Sequence, residues 1–180
     1  MRILGVDPGL IACGYAILDD EHVLLHGTIR AKRTLRSTER HLFILSRIQD
    51  LIIACKPDVL AVEEFVWIGP QAGGNPVVGR DAMCKLVGGI FAFSLMPPYP
   101  TLHELLPQSW GAQLLGGRRS HDKADIAYAL NLRLGTNFDG GYHSNHESDA
   151  VGIALVALDN INAQQYVTRY SREYTSIRHS

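Results

Sequence analysis

Two apolar runs that each end in a carboxylate constrain this chain more than any other feature. The first is Arg2-Ile3-Leu4-Gly5-Val6-Asp7, followed at once by Pro8-Gly9. Ile3, Leu4 and Val6 suit a buried strand. Pro8 has no N–H for a sheet ladder and Gly9 tolerates positive φ, so the chain turns there. The second run is Val59-Leu60-Ala61-Val62-Glu63-Glu64. It is near-continuously apolar, as expected of a strand covered on both faces. A charge at the end of a buried strand is costly unless it is paired or bound to a cation. Asp7 therefore reads either as a turn residue capping its own loop or as part of a metal or phosphate site.

The stretches between these runs supply the rest of a sheet and its cover. Gly14–Leu18 and Val23–Ile29 read as second and third strands across an Asp19-Asp20 turn. Spacing this short predicts an antiparallel meander. A helix is predicted over Ser37–Cys55, where His41, Leu42, Leu45, Ile48, Leu51 and Ile52 recur at helical steps before Lys56-Pro57 stops it. Further helices are expected over Val78–Met96, Gln108–Leu115, Asp122–Leu134 and Glu147–Asn162, with a short strand at Pro100–Leu105. The order implies an α/β fold: a mixed five-stranded sheet, meander first and parallel strands after, flanked by helices. With 180 residues and no linker or repeat, one domain is expected over 1–165, followed by a basic, disordered tail over 166–180.

Composition narrows the function classes. A net charge of −1 excludes a global basic signature, so any nucleic acid must be held by a local patch such as Arg30, Lys32, Arg33, Arg36 and Arg40. Cys13, Cys55 and Cys84 lack metal-type spacing and sit in apolar contexts, which predicts buried reduced thiols and a cytoplasmic location. No apolar run reaches membrane-spanning length, and no signal-peptide pattern opens the chain.

The last predicted helix opens with Ser144-Asn145-His146-Glu147-Ser148-Asp149. His146 and Asp149 share a helix face. Ser144 with Glu147 fits a capping box, which gives Glu147 a structural role. Asp7, Glu63 and Asp149 with the His146 imidazole form a set whose hard oxygens suit Mg²⁺ or Mn²⁺. Two such ions, about 3.5–4 Å apart, stabilise attacking and leaving oxygens in phosphodiester hydrolysis. His146 taken alone reads as a surface or capping residue; the set gives it the sharper reading.

In three ordered blocks the sequence resembles the RuvC family of Holliday junction resolvases, within the RNase H-like superfamily. They are Ile3-Leu4-Gly5-Val6-Asp7-Pro8-Gly9-Leu10 with Gly14-Tyr15, then Pro57 to Glu64, then His146 to Leu155. The resemblance implies an RNase H-like sheet and an active site of Asp7, Glu63, His146 and Asp149. It implies two Mg²⁺ or Mn²⁺ ions and a homodimer that cuts a four-way DNA junction symmetrically, leaving a 5′-phosphate and a 3′-hydroxyl. Lys123 falls where the family carries a lysine important for cleavage. Phe65 and Trp67 are candidates to stack on unpaired bases, with Trp67 preferred. Trp110 or a neighbour stands where the family usually has a second lysine, so Arg118 or Arg119 is the substitute phosphate contact. By the same analogy, Val78–Met96 is either a dimer face or part of the chain's own core.

Other readings remain beside this one. An actin-like or sugar-kinase-like ATPase also begins with a strand, an aspartate and a glycine turn. The chain is short for two lobes, and Gly116-Gly117-Arg118-Arg119 lacks the lysine–hydroxyl pair of a phosphate loop. A catalytically silent junction-binding relative would bind without cutting. A less selective branched-DNA or flap endonuclease is kept open by the Gly/Pro-rich stretch after Glu63.

Overall fold

Strand β1 (Arg2–Asp7) is the centre of the molecule. The structure, a computed structural model, describes residues 1–66, 76–118, 122–141 and 145–177. β1 is followed by β2 (Ala12–Asp19), β3 (His22–Arg30), α1 (Ser37–Cys55), β4 (Val59–Glu63) and α2 (Pro76–Phe91). A 3₁₀ turn over Ala92–Leu95 leads to β5 (Thr101–Leu105), α3 (Pro107–Leu114), α4 (Lys123–Leu134) and α5 (Asn145–Ile177). The sheet order is β3-β2-β1-β4-β5. β1, β2 and β3 form the antiparallel meander, while β4 and β5 join parallel to β1. This is the mixed five-stranded sheet expected from the sequence.

Strand alternation divides the apolar residues between two cores. Ile3, Ala16, Leu18, Val59 and Ala61 pack with Ile126 and Leu130 of α4 and Ile153 and Ala157 of α5. Leu4, Val6, Ile17, Leu60 and Val62 face the other way, onto Ile44, Ile48 and Ile52 of α1 and Leu86 and Ile90 of α2. Each fully buried isoleucine contributes about 1.5–3 kcal/mol. Two glycines let α5 lie directly on the sheet. A Cβ at Gly5 would stand 2.3 Å from the Ala150 carbonyl oxygen, and one at Gly14 would stand 1.8 Å from that of His146. The start of α5 is thereby seated on β1 and β2 at the end where Asp7 lies.

Helix ends follow their local chemistry. α1 stops where Lys56 takes a left-handed φ of 47° and its N–H closes on the Ile52 carbonyl, with Pro57 next. Asp122 caps α4 by accepting from the Ala124 N–H at 2.9 Å, and Gly135 closes that helix with φ 65°. Three expectations need correction. The helix expected to reach Met96 is α-helical only to Phe91, then tightens into the 3₁₀ turn before Pro97-Pro98. The helix expected to end at Asn162 continues to Ile177, through most of the stretch read as a disordered tail. That stretch is polar but contains no glycine or proline to break it. Of the three free cysteines only Cys13 is buried; Cys55 is half-buried and Cys84 exposed.

Candidate active site

The sheet register brings the two strand-end acids together. Val6 of β1 pairs with Val62 of β4, so Asp7 and Glu63 come next on parallel neighbouring strands. Residues in step on parallel strands point to the same face. That face is the one covered by α5, because Ile3 and Ala61 lie on it. α5 then carries His146 and Asp149 over the same strand end. Asp7 and Asp149 are each only 7% exposed.

Each acid has a different partner. His146 Nδ1 lies 2.6 Å from Asp7 Oδ2, and this hydrogen bond raises the imidazole pKa, favouring a ring that donates its Nδ1–H to the carboxylate. Lys123 Nζ, at the first turn of α4, donates to Asp149 Oδ2. Asp149 Oδ1 is buried and has no hydrogen-bond partner among the described residues. Burial raises the Asp149 pKa against the opposing pull of Lys123. The Glu63 carboxyl is pushed up to about 7, chiefly by burial and further by the charges of Asp7 and Asp149. The Trp110 indole opposes that rise by donating from Nε1 to Glu63 Oε1 at 2.8 Å. Among the described residues no three acid, histidine or cysteine side chains already stand as a metal shell. Instead the His146 ring sits on Asp7 and the Lys123 ammonium on Asp149.

The remaining sequence candidates are spread around this centre. Phe65 is half-buried just past β4, and Arg118 is exposed after Gly116 and Gly117, which have φ of 66° and 90°. Trp67, Arg119 and Ser144 lie outside the described residues. The capping box expected of Ser144 with Glu147 falls on a residue outside the described ones; the Glu147 carboxylate also reaches β3, meeting His26 Nδ1 at 3.0 Å and Thr28 Oγ1 at 3.2 Å. Trp110 was noted only as a departure from a family pattern, yet it is 4% exposed and bonded to Glu63. The available signal was the residue type, since a buried indole N–H needs an acceptor. A groove of about 560 Å³ opens past the ends of β4 and β5, lined by Val66, Leu106, Gln108 and Gln113 among others but by none of the four candidate ligands. A larger cavity, about 910 Å³, lies at the opposite end of the sheet near Met1, Thr101 and His103, away from the acids.

Comparison with known proteins accords with this geometry. The family model described as crossover junction endodeoxyribonuclease RuvC matches residues 3–157. RuvC of Prochlorococcus marinus strain MIT 9313 is 39% identical over 159 residues, covering 86% of this chain and 96% of that protein. The Thermus thermophilus RuvC structure in complex with Holliday junction substrate superposes with a TM-score of 0.71, at 21% identity, over 87% of this chain and 92% of that one. The yeast mitochondrial Holliday junction resolvase Ydc2 gives 0.64, at 13% identity, over 96% of this chain and 84% of that one. At such identities the two structures speak for the fold, whereas the family model and the Prochlorococcus relative span most of the sequence. The chain belongs to the RuvC family of crossover junction endodeoxyribonucleases.

Proposed function

We propose that this protein is a metal-dependent endonuclease that resolves four-way DNA junctions by paired symmetric nicks. One observation carries the reading beyond family membership. Asp7 and Glu63, in step on parallel strands, lie beneath Asp149, whose Oδ1 is buried without a partner among the described residues. Both that orphaned oxygen and the raised Glu63 pKa are relieved by a cation among the three carboxylates. The donor set thus fits a hard divalent ion, Mg²⁺ or Mn²⁺, with Asp7, Glu63, Asp149 and His146 as the residues to hold two of them. When bound, such ions stabilise the attacking and leaving oxygens of a phosphodiester.

The chain's own groups do the rest. His146, 41% exposed, holds a proton at Nδ1 against Asp7 and fixes that carboxylate. Lys123, 40% exposed, is the cation that reaches the site from α4, and it can meet phosphate charge as well as Asp149. Phe65, half-buried just past β4, and Trp67 are the rings we assign to unpaired bases, where stacking contributes about 1–3 kcal/mol. Arg118, Arg119 and the exposed Lys32, Arg33 and Arg36 hold backbone phosphates, so affinity falls with salt. A junction with two-fold symmetry requires two cuts, hence a homodimer. Leu86 and Ile90 of α2 are spent in the chain's own core, so a dimer face on α2 uses its other side. Reduced free cysteines and a DNA substrate fit a cytoplasmic location.

The test is cleavage of labelled four-way junction, flap and linear duplex with Mg²⁺ or Mn²⁺, using wild type and Asp7→Asn. Paired symmetric nicks in the junction alone, lost in Asp7→Asn while binding persists, are expected. Equal cutting of all three substrates would indicate a less selective nuclease. Junction binding without metal-dependent cutting would leave a silent relative.

A further inference from the structure

Trp110 joins three elements that the acids depend on. It sits in α3, where its N–H closes on the Leu106 carbonyl at 3.3 Å just past β5. Its indole Nε1 donates to Glu63 Oε1 at the end of β4. The far edge of its ring lies against α5: a Cβ at Gly152 would stand 2.7 Å from Cζ3 of the indole. Gly152 follows Asp149 by three residues, so the two share a face of α5 one turn apart. The ring therefore fills the space between the strand that ends in Glu63 and the helix that carries Asp149.

We propose that Trp110 is a positioning residue that holds the Glu63 carboxylate at a set orientation and distance from Asp149, so that both acids bind one cation cluster. This rests on the reading of Glu63 as a metal ligand. The indole supplies two separable things. The ring spaces β4 from α5, which any flat side chain of similar size can do. The N–H fixes one carboxylate oxygen, which phenylalanine cannot do. A ligand whose orienting partner is lost binds metal about 10–100-fold more weakly.

The experiment is Mn²⁺ titration calorimetry on the full chain without DNA, comparing wild type, Trp110→Phe, Glu63→Gln and the double variant. Trp110→Phe is expected to weaken Mn²⁺ binding by about 10–100-fold. Its kcat on four-way junction should fall by a similar factor, while junction affinity measured without divalent metal changes by no more than about twofold. Glu63→Gln should weaken Mn²⁺ binding as well, and adding Trp110→Phe to it should cost nothing further. A second measurement leaves Trp110 intact. In a Trp67→Phe protein it is the single tryptophan, because the chain has 2. Mn²⁺ should quench its emission at the calorimetric midpoint, and Glu63→Gln should abolish that response. If Glu63→Gln leaves Mn²⁺ binding unchanged, the ligand reading of Glu63 falls and the proposal with it. If Glu63→Gln weakens binding but Trp110→Phe does not, or if Trp110 emission ignores bound Mn²⁺, the ligand reading stands and Trp110 is a core side chain only.

Discussion

The two ends of the central sheet handle charge in opposite ways. At the end where β1 begins, charges meet partners in the open. The Met1 amino group donates to Asp20 at 2.9 Å, Arg2 to Asp19 at 2.9 Å, and the Arg2 backbone N–H to Asp58 at 2.7 Å. Arg133 of α4 grips Asp159 of α5 through both terminal nitrogens, at 2.6 and 2.7 Å. The Asp19 pKa is lowered by its Arg2 partner, the signature of a satisfied ion pair. At the end where β1 finishes, acids are buried beside one another. Asp149 leaves one oxygen unpartnered among the described residues, and Glu63 and Asp149 both have raised pKa values. Paired charges at one end serve the fold, with the Arg2 Nε the one buried atom there left without a partner among the described residues. Crowded acids at the other are a cost that folding alone does not explain, and such sites are where function is expected.

Breaking the seat of the crowded end should have the largest effect. Gly14→Ala drives a methyl group into the His146 carbonyl, so α5 must lift from β2. We expect a loss of about 3 kcal/mol in denaturant unfolding, with cleavage lost as well. Removing the crowding should do the reverse for stability. Glu63 binds its proton more tightly folded than unfolded, since its pKa rises to about 7 from a model-peptide value near 4.5. Its burden on stability is therefore absent below the unfolded pKa and fully present above the folded one. Glu63→Gln should stabilise the protein by about 2 kcal/mol at pH 8, the gain fading toward pH 5, while cleavage is lost. Melting curves across that range would show it; a variant less stable than wild type at pH 8 would break the contrast.

The satisfied end predicts the smallest change and the opposite pH sign. Asp19 has a lowered folded pKa, so its contribution is present above the unfolded value and disappears as the pH falls through the folded one. Arg2→Ala should lower the melting temperature slightly at pH 7, less so in acid, with cleavage unchanged. A large loss of cleavage in Arg2→Ala would mean the two ends are not independent.

Much of this contrast was legible in the chain, and the part that was not has a common cause. Runs ending in Asp7 and Glu63 and the Lys56-Pro57 stop are local signals, and the strands and helices they mark are in place. Five strands in a meander-then-parallel order could be read because each has its own boundary. The partners of Asp7, Glu63 and Glu147 could not, because they depend on register and on how α5 crosses the sheet. Val6 opposite Val62 is what puts two acids side by side, and nothing within either strand states it. Trp110 looked like a missing lysine because its acceptor lies at the end of β4, 47 residues away in sequence. The Thr28 and His26 partners of Glu147 are far away in sequence. The extent of α5 was missed for a different reason: polarity was weighed above the lack of a helix breaker.

The most direct test is where a divalent cation sits. Anomalous diffraction from crystals soaked in Mn²⁺ should place the ion against Asp7, Glu63 and Asp149, with Lys123 moved off Asp149 Oδ2. Mn²⁺ bound only at the other end of the sheet, or Lys123 still on Asp149 with no ion among the three acids, would contradict the account.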